Sequence, residues 1–183
     1  MSIIHLTQIK SRIEKEFFDI IDMSDVKHKI DSQEYIDAKH ARCLAAYIVH
    51  HFTGCSASIA AGAIVDGSDD NGIDAIYWDN SDFKLYIIQS KWIKSGTGEP
   101  EAKDVGRFTK GIRDLLSLNF ERFNNRITNR KDELLNILST AGLQIIAILV
   151  HTENSGPSKH SQAEFNDLLS EINDAGEILS YRH

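Results

Sequence analysis

The sequence predicts an α/β fold, and three observations support this fold class. Residues 73–78 and 85–92 are rich in Ile, Tyr and Trp and are separated by the turn-forming residues 79–82, a pattern typical of a β-hairpin. Apolar residues at helical spacing flank this hairpin on both sides. The chain has 183 residues, of which 42% are hydrophobic, so it can form the core of one domain.

Three helices are predicted before the hairpin. Residues 3–21 place apolar side chains at spacings of three and four with charges between them, which indicates an amphipathic helix. Residues 33–51 form a second helix, for which Ser32 is a suitable N-cap and Gly54 a suitable end. Residues 56–63 have no clear period and fit either a short helix or a strand, and we favour the short helix.

Five elements are predicted after the hairpin. Two successive stretches show apolar residues at helical spacing, and a near-continuous apolar run follows them. Such a run is typical of a strand at the centre of a sheet that is covered on both faces. The chain then returns to a helical pattern that Gly176 would close. The predicted elements are helices at about 100–118 and 120–139, a strand at 143–151, a helix at 158–174 and a short strand at 178–181.

The sequence argues against a secreted protein and against a membrane protein. The chain has two cysteines, Cys43 and Cys55, in no disulfide-like framework, so a reducing cytoplasm is the expected compartment. The amino terminus lacks the features of a signal peptide. The longest apolar run, 143–150, is too short to cross a bilayer, which takes roughly 20 residues, so no membrane association is expected.

Charge is distributed unevenly along the chain. The net charge of −7 argues against a protein that coats nucleic acid by bulk electrostatics. Residues 1–90 carry a net charge of −6 and residues 132–183 also −6, whereas residues 91–131 carry +5. Basic side chains at helical spacing in this segment fit either a solvated face or a surface that contacts phosphates. The candidates for phosphate contact are Lys103, Arg107, Lys110, Arg122 and Arg126, with Arg130 continuing the row of the last two.

The hairpin carries the residues with the clearest chemical role. Because side chains alternate along a strand, Gln89 and Lys91 point the same way, and Asp74 opens the neighbouring strand. Hydrolysis of a phosphodiester requires charge stabilisation and a hydroxide near neutral pH, and a divalent cation supplies both. Asp74, the Gln89 amide oxygen and the Ser90 carbonyl offer the oxygen ligands that Mg²⁺ prefers. Lys91 could orient the attacking water or offset developing charge.

These residues resemble a known nuclease signature. Asp74 followed by Gln89-Ser90-Lys91 resembles the D…(D/E/Q)xK motif of the PD-(D/E)xK nuclease superfamily. More narrowly, DGSDDNGIDAIY at 66–77 with IIQSK at 87–91 resembles the amino-terminal nuclease domain of abortive-infection phage-resistance proteins. Those proteins are related to Mrr-type restriction endonucleases, which cut modified DNA. The resemblance covers this motif, while the surrounding helices agree only in order and spacing.

The resemblance implies a restriction-endonuclease-like mixed β-sheet core flanked by α-helices. It further implies a Mg²⁺- or Mn²⁺-dependent DNA endonuclease that acts in defence against phage, with Asp74, Gln89 and Lys91 as the catalytic set. Within one nuclease-like domain, 1–183, residues 1–54 would form an amino-terminal helical part and residues 55–183 the catalytic core. The resembling proteins are usually longer, which leaves open an excised domain and a carboxy-terminal partner or domain outside this chain.

Two ligand positions stay open at the level of sequence. The superfamily often adds a Glu from an early helix, and Glu34 is one candidate for it, with Asp37 beside it. Asp66 fits a metal ligand and a loop residue equally well, whereas we interpret Asp69 and Asp70 as turn chemistry.

A second class of function competes with the nuclease. The fold could serve as an inactive binding or oligomerisation module, in which Lys91 would be an ordinary residue at the end of a strand. A homodimer or an RNA substrate is also compatible with the sequence. Trp78 and Trp92 are interpreted as packing residues rather than as platforms for base stacking.

Overall fold

The structure is a computed structural model that describes residues 3–30 and 32–173. Gly176 and the strand predicted at 178–181 lie outside the described residues. Short connections join most of the helices and strands, which follow the predicted order from the first helix to the last. These are α1 (Ile3–Phe17), α2 (Gln33–Thr53), α3 (Ala57–Gly62), β1 (Ala75–Asp79), β2 (Lys84–Lys91), α4 (Ala102–Leu116), a 3₁₀ turn (Phe120–Arg122), α5 (Asn125–Thr128), α6 (Lys131–Leu138), β3 (Gln144–His151) and α7 (Lys159–Asn173).

Local capping signals set the limits of α2 and α3. The hydroxyl of Ser32 accepts a hydrogen bond from the N–H of Tyr35 at 3.3 Å, and Gly54 ends α2 with φ 69°. Ser56 caps α3 in the same way, which confirms the short helix predicted there. Helix α1 ends at Phe17, before the predicted limit of 21. No helix within 3–30 and 32–173 is both long enough and apolar enough to span a membrane.

The three described strands form a mixed sheet in the order β1-β2-β3. Strands β1 and β2 are antiparallel, with Ala75 opposite Ile88, whereas β2 and β3 run parallel. The predicted hairpin and the α/β class are therefore confirmed. The prediction that 143–151 forms the centre of the sheet is wrong among the described strands, because β2 is central and buried while β3 lies at the edge and is only half-buried.

Two hydrophobic cores lie on the two faces of this sheet. Tyr86 and Ile88 of β2 face the core formed with α1, α2 and α3. Leu85 and Ile87 face the opposite core, and alternation places Gln89 and Lys91 on that same face. Burying each large apolar side chain contributes about 1.5–3 kcal/mol. The second core takes Phe108, Ile112 and Leu115 from α4, Ile127 from α5, Leu134 from α6 and Leu168 from α7.

The single helix predicted at 120–139 is wrong, because this stretch forms a 3₁₀ turn and two short helices. Phe123 has an extended backbone, and the side chain of Asn124 then caps α5 by accepting the N–H of Ile127. The row of Arg122, Arg126 and Arg130 on one helix face therefore does not exist. Of the apolar residues at the predicted spacing, four are nevertheless buried and Leu138 is half-buried; the buried ones are Phe120, Phe123, Ile127 and Leu134.

Candidate metal centre

A cleft of about 330 Å³ lies where the start of β1 meets the end of β2. Helix α2 forms one wall and helix α4 contributes Arg107 to the other. The register that pairs Ala75 with Ile88 places Asp74 opposite Gln89 when it is continued by one residue. The lining residues are Asp37, Ala38 and Ala41 of α2, Asp66, Asp70, Gly72 and Asp74 of the loop before β1, residues Gln89 to Trp92, and Arg107.

Three carboxylates converge in this cleft. Asp66, Asp70 and Asp74 each offer a carboxylate oxygen within 4.8 Å of the other two. Asp70 is 6% exposed, so it is a buried member of the cluster as well as a turn residue. Asp70 therefore lines the cleft in addition to the turn role that the sequence predicts for it. An all-oxygen set of this kind suits a hard divalent cation such as Mg²⁺ or Mn²⁺.

The loop between Asp66 and Asp74 is shaped by hydrogen bonds to the Asp70 side chain. Its two carboxylate oxygens accept the N–H groups of Gly72 at 2.7 Å and Gly67 at 3.2 Å. Gly72 has φ 82°, and a Cβ on it would lie 2.9 Å from the carbonyl carbon of Arg107. Only glycine allows the loop to approach α4 this closely.

Asp74 is the most strongly perturbed carboxyl of the cluster. Burial raises its pKa well above the usual value, and the negative charges of Asp66 and Asp70 raise it further. The N–H of Ser90 donates to Asp74 Oδ2 at 2.6 Å and its hydroxyl at 3.2 Å, which holds the carboxyl in place. Burial likewise raises the pKa of Asp70. A bound cation would relieve this repulsion.

Gln89 supplies an independent sign that the cleft accommodates a ligand. Its side chain is 2% exposed, and its Oε1 atom is buried without a hydrogen-bond donor. Buried polar atoms are nearly always paired, so an unpaired amide oxygen on a residue that lines the same cleft as three carboxylates fits a site for a cation. The predicted ligand Ser90 also lines the cleft, and its hydroxyl reaches the Ala41 carbonyl at 2.8 Å.

Lys91 lines the cleft but is also ion-paired. Its Nζ atom lies 3.0 Å from Asp104 Oδ1 in the first turn of α4, and its side chain is 34% exposed. The positive charge of Lys91 lowers the pKa of Asp74, in opposition to the larger effect of burial. Lys91 is therefore close enough to the carboxylates to interact with them, and Asp104 restrains it from the other side.

Two guanidinium groups balance the charge of the cluster. Arg107 Nη2 lies 3.0 Å from Asp70 Oδ1 at the exposed side of the cleft. Arg42 Nε donates to Asp66 Oδ2 at 2.6 Å from the buried side. Arg42 is 2% exposed and also forms a bidentate pair with Asp25, at 2.8 and 2.9 Å. Each guanidinium thus neutralises one carboxylate and leaves Asp74 without a direct cationic partner in this set.

Comparison with known proteins found no matching family model, no similar curated protein and no similar solved structure. The geometry and chemistry of the cleft are therefore the observations that bear on function.

The early-helix acidic residue in the cleft is Asp37 rather than Glu34. Glu34 is exposed and is not among the residues that line the cleft, whereas Asp37 lines it from one helical turn further along α2. The nearby Gln33 side chain donates to Asp37 Oδ1 at 2.8 Å. Of the two candidates from the sequence, Asp37 therefore lines the cleft and Glu34 does not, and the sequence alone offered no motif that separated them.

The predicted phosphate contacts all form ion pairs within the chain. Lys103 pairs with Glu101, Lys110 and Arg122 both pair with Asp114, Arg107 pairs with Asp70, and Arg126 pairs with Asp22 and Asp25. Arg107 is the one member of this predicted set that lines the cleft. The charge segregation in the sequence therefore partly reflects internal pairing between distant segments.

Asp114 of α4 accepts a hydrogen bond from the side chain of Asn71, in the loop between Asp66 and Asp74, which we call the acidic loop. This contact leads to a prediction about stability. Burial alone would raise the pKa of Asp114, but hydrogen bonds from Lys110, Asn71 and Arg122 outweigh it and lower the pKa to about 2. A lowered folded pKa gives stability that is present above the usual value of 3.8 and is lost as pH falls toward 2. We expect Asp114→Asn to lose roughly 1–3 kcal/mol at pH 7, as is typical when a buried hydrogen-bonded charge is removed.

Urea unfolding at pH 7 and pH 3 measures this effect. The gap in unfolding free energy between wild type and Asp114→Asn should be smaller at pH 3. Asp167→Asn, on the exposed face of α7, is the matched control and should change stability little at either pH. An equal loss at both pH values would contradict the assignment of the effect to the ionised carboxylate.

Proposed function

We propose that the chain is a Mg²⁺- or Mn²⁺-dependent endonuclease domain that hydrolyses phosphodiester bonds in DNA. The observation that carries the proposal is the convergence of Asp66, Asp70 and Asp74 within 4.8 Å, beside Gln89 and Lys91 in one cleft. A mixed sheet flanked by helices supports a restriction-endonuclease-like core. DNA as substrate and a role in defence against phage follow from the resemblance of the motif.

The residues of the cleft divide the chemistry between them. Asp74 and Asp70 would hold the cation, Asp66 would complete the carboxylate set, and Gln89 would add an amide oxygen. A divalent cation bound there supplies Lewis-acid stabilisation of the transition state and lowers the pKa of a bound water. Lys91 carries a proton and a positive charge at the edge of the cluster. It can therefore orient an attacking water or offset negative charge on the phosphate oxygens.

Plasmid cleavage with Mg²⁺ or Mn²⁺ tests the proposal. We expect the wild type to cut and Lys91→Ala to cut at least about 100-fold more slowly, because a positioned acid–base group usually contributes that much to the rate. Lys84→Ala is the matched control, because Lys84 lies at the other end of β2 and pairs with Asp82 in the exposed turn. If neither the wild type nor Lys91→Ala cuts, or if these two proteins cut equally fast, the catalytic assignment is wrong.

Replacement of Arg107 is expected to change the affinities for metal and for DNA in opposite directions. In the structure its guanidinium pairs with Asp70, a carboxylate that the cation would also use. We expect Arg107→Gln to bind Mn²⁺ about fivefold more tightly, because a partly exposed ion pair of up to ~1 kcal/mol no longer competes. The same variant should bind DNA more weakly, because the positively charged guanidinium group of Arg107, which could contact a phosphate, is lost.

Calorimetry with Mn²⁺ and a DNA titration at fixed salt measure the two effects. Arg113→Gln is the matched control, since Arg113 lies on the same helix but pairs with Glu171 of α7. It removes the same charge away from the cleft and should leave Mn²⁺ affinity unchanged. A parallel loss of both affinities in Arg107→Gln would point to a structural role instead.

A second candidate function is an inactive nuclease-like module for binding or oligomerisation. The ion pair between Lys91 and Asp104 favours it, because this contact engages the ammonium group that catalysis would require. Absence of Mn²⁺ binding together with tight self-association, measured by calorimetry and sedimentation, would support the module. Side-by-side cleavage of DNA and RNA of matched sequence would decide between the two nucleic-acid substrates.

A further inference from the structure

A second cavity, of about 350 Å³, lies beside the acidic cleft, between α1, α2 and the segment that follows β2. Leu6, Ile36 and Trp92 give it an apolar wall. Asp37 and Trp92 line both this cavity and the acidic cleft, so the two share a wall. A molecule whose reacting group lies at the carboxylates could therefore place an adjoining group in the cavity.

The cavity also contains a buried polar atom without a partner. His40 is 2% exposed, and its Nε2 atom lies 2.9 Å from Glu14 Oε1, whereas its Nδ1 atom has no hydrogen-bond partner. The His40 ring stacks on Trp92 with 4.8 Å between centroids and 16° between planes. The stacked pair gives this wall of the cavity both apolar and polar character.

The rim of the cavity carries polar groups of both kinds and positive charge. Gln33 and Asp37 line it and hydrogen-bond to each other at 2.8 Å, so donors and acceptors lie side by side. Lys10 and Lys94 also line it, and both side chains are exposed to solvent. A planar ring with a polar edge and an attached anion satisfies all of these features, and a nucleotide is the ligand class with that chemistry.

We propose that this cavity holds the base of the nucleotide adjoining the phosphodiester that is cleaved. The position of that nucleotide rests on the proposed function, because it requires the scissile phosphate to lie at Asp74. Bases in a duplex are stacked and paired inside the helix, so a base reaches such a cavity only from a single strand or after extrusion. The substrate class is therefore a single strand, or a duplex from which this base is extruded on binding, so a plasmid remains a valid substrate for the cleavage test.

Binding of dAMP and of ribose 5-phosphate, measured in EDTA by tryptophan fluorescence, tests the proposal. The chain has two tryptophans, and Trp78→Phe leaves Trp92 as the reporter in the cavity. We expect dAMP to quench Trp92 and to bind about tenfold more tightly than ribose 5-phosphate, because only dAMP carries a base. Ile36→Phe, which fills the cavity, and Lys94→Glu, which reverses a rim charge, should both weaken dAMP binding.

Ile59→Phe is the matched control, since Ile59 is 54% exposed on α3 and does not line the cavity. Lys94→Glu alters an exposed side chain, so its effect does not depend on core packing. Absence of quenching by dAMP, equal binding of the sugar phosphate, or unchanged binding in both cavity variants would overturn the proposal. EDTA separates the two hypotheses, because a failure to cleave plasmid would count against the nuclease without altering these binding results.

Discussion

Asp74→Asn should abolish metal-dependent cleavage and, at the same time, stabilise the metal-free protein. Under the proposed function Asp74 would hold the cation, and loss of its charge is expected to reduce the rate by about 10³-fold or more. The gain in stability follows from burial and from the charges of Asp66 and Asp70, which raise the pKa of Asp74 well above its usual value. Asparagine removes the negative charge but keeps an oxygen that can accept the N–H of Ser90.

The pH dependence fixes the sign of this stability effect. A raised folded pKa means that the carboxyl contributes stability below its usual pKa of 3.8 and loses it as pH rises through the folded pKa. At pH 7 without metal, we expect Asp74→Asn to melt about 2–4 °C higher, which corresponds to ~1 kcal/mol for a chain of this size. The difference from wild type should shrink as pH is lowered.

Thermal melts with and without Mn²⁺ connect this effect to metal binding. Added Mn²⁺ should raise the melting temperature of the wild type and have little effect on Asp74→Asn, because a ligand that binds only the folded state stabilises it and the proposed site needs the Asp74 carboxylate. Asp82→Asn is the control, since Asp82 lies in the exposed hairpin turn and pairs with Lys84. A lower melting temperature for Asp74→Asn in EDTA would contradict the repulsion inferred for this cluster.

Local signals in the sequence predicted the elements that they control. Ser32 and Gly54 limit α2 through hydrogen bonds and a left-handed conformation that involve only neighbouring residues. The period of two along β2 likewise predicted that Gln89 and Lys91 share a face. Asp74 joins them because the hairpin turn sets the register between β1 and β2.

Apolar spacing predicted burial more reliably than it predicted continuity or position. Phe120, Ile127 and Leu134 are buried as their spacing implies, although they belong to three separate elements, and Phe123 is buried although it lies between two of them. The predicted helix is interrupted at Asn124, which caps a new helix. The spacing of apolar residues nevertheless continues across this interruption. The spacing alone therefore could not distinguish one helix from three.

The prediction of the central strand is wrong because β2, although buried, does not carry an uninterrupted apolar run. Strand β2 carries the polar pair Gln89 and Ser90, yet both are buried, because one lines the cleft and the other holds Asp74. Strand β3 has the longer apolar run but lies at the edge of the described sheet. A hydrophobic run therefore marked the wrong strand as central.

Arg42 could not be identified from the sequence because its partners are distant along the chain. It lies in the middle of α2 and bonds to groups 17, 20 and 24 residues away, at Asp25, Asp22 and Asp66. Burial alone would lower the pKa of Arg42, but hydrogen bonds to Asp25 and Asp66 outweigh it and raise the pKa. The same guanidinium thus joins α2, the connector before it and the acidic loop.

Arg42→Met is therefore expected to cause the largest loss of stability of these variants, roughly 3–5 kcal/mol, because it leaves Asp25 and Asp66 without their buried partner. Arg42→Lys should restore little of this loss, since one ammonium cannot replace the forked contacts to both carboxylates. Guanidinium chloride unfolding measures both variants. Arg12→Met is the matched control, because Arg12 is 58% exposed and pairs with Glu16 one turn along the same helix, so its loss should cost about 0–1 kcal/mol.

Arg42 also positions Asp66 within the cleft. In the wild type the guanidinium fixes one oxygen of Asp66 at 2.6 Å and its backbone carbonyl at 3.0 Å. We therefore expect Arg42→Lys, the milder variant, to bind Mn²⁺ more weakly under conditions where it remains folded, even though it keeps the net charge. Unchanged Mn²⁺ affinity in a folded Arg42→Lys protein would show that Asp70 and Asp74 suffice and that Asp66 serves the fold alone.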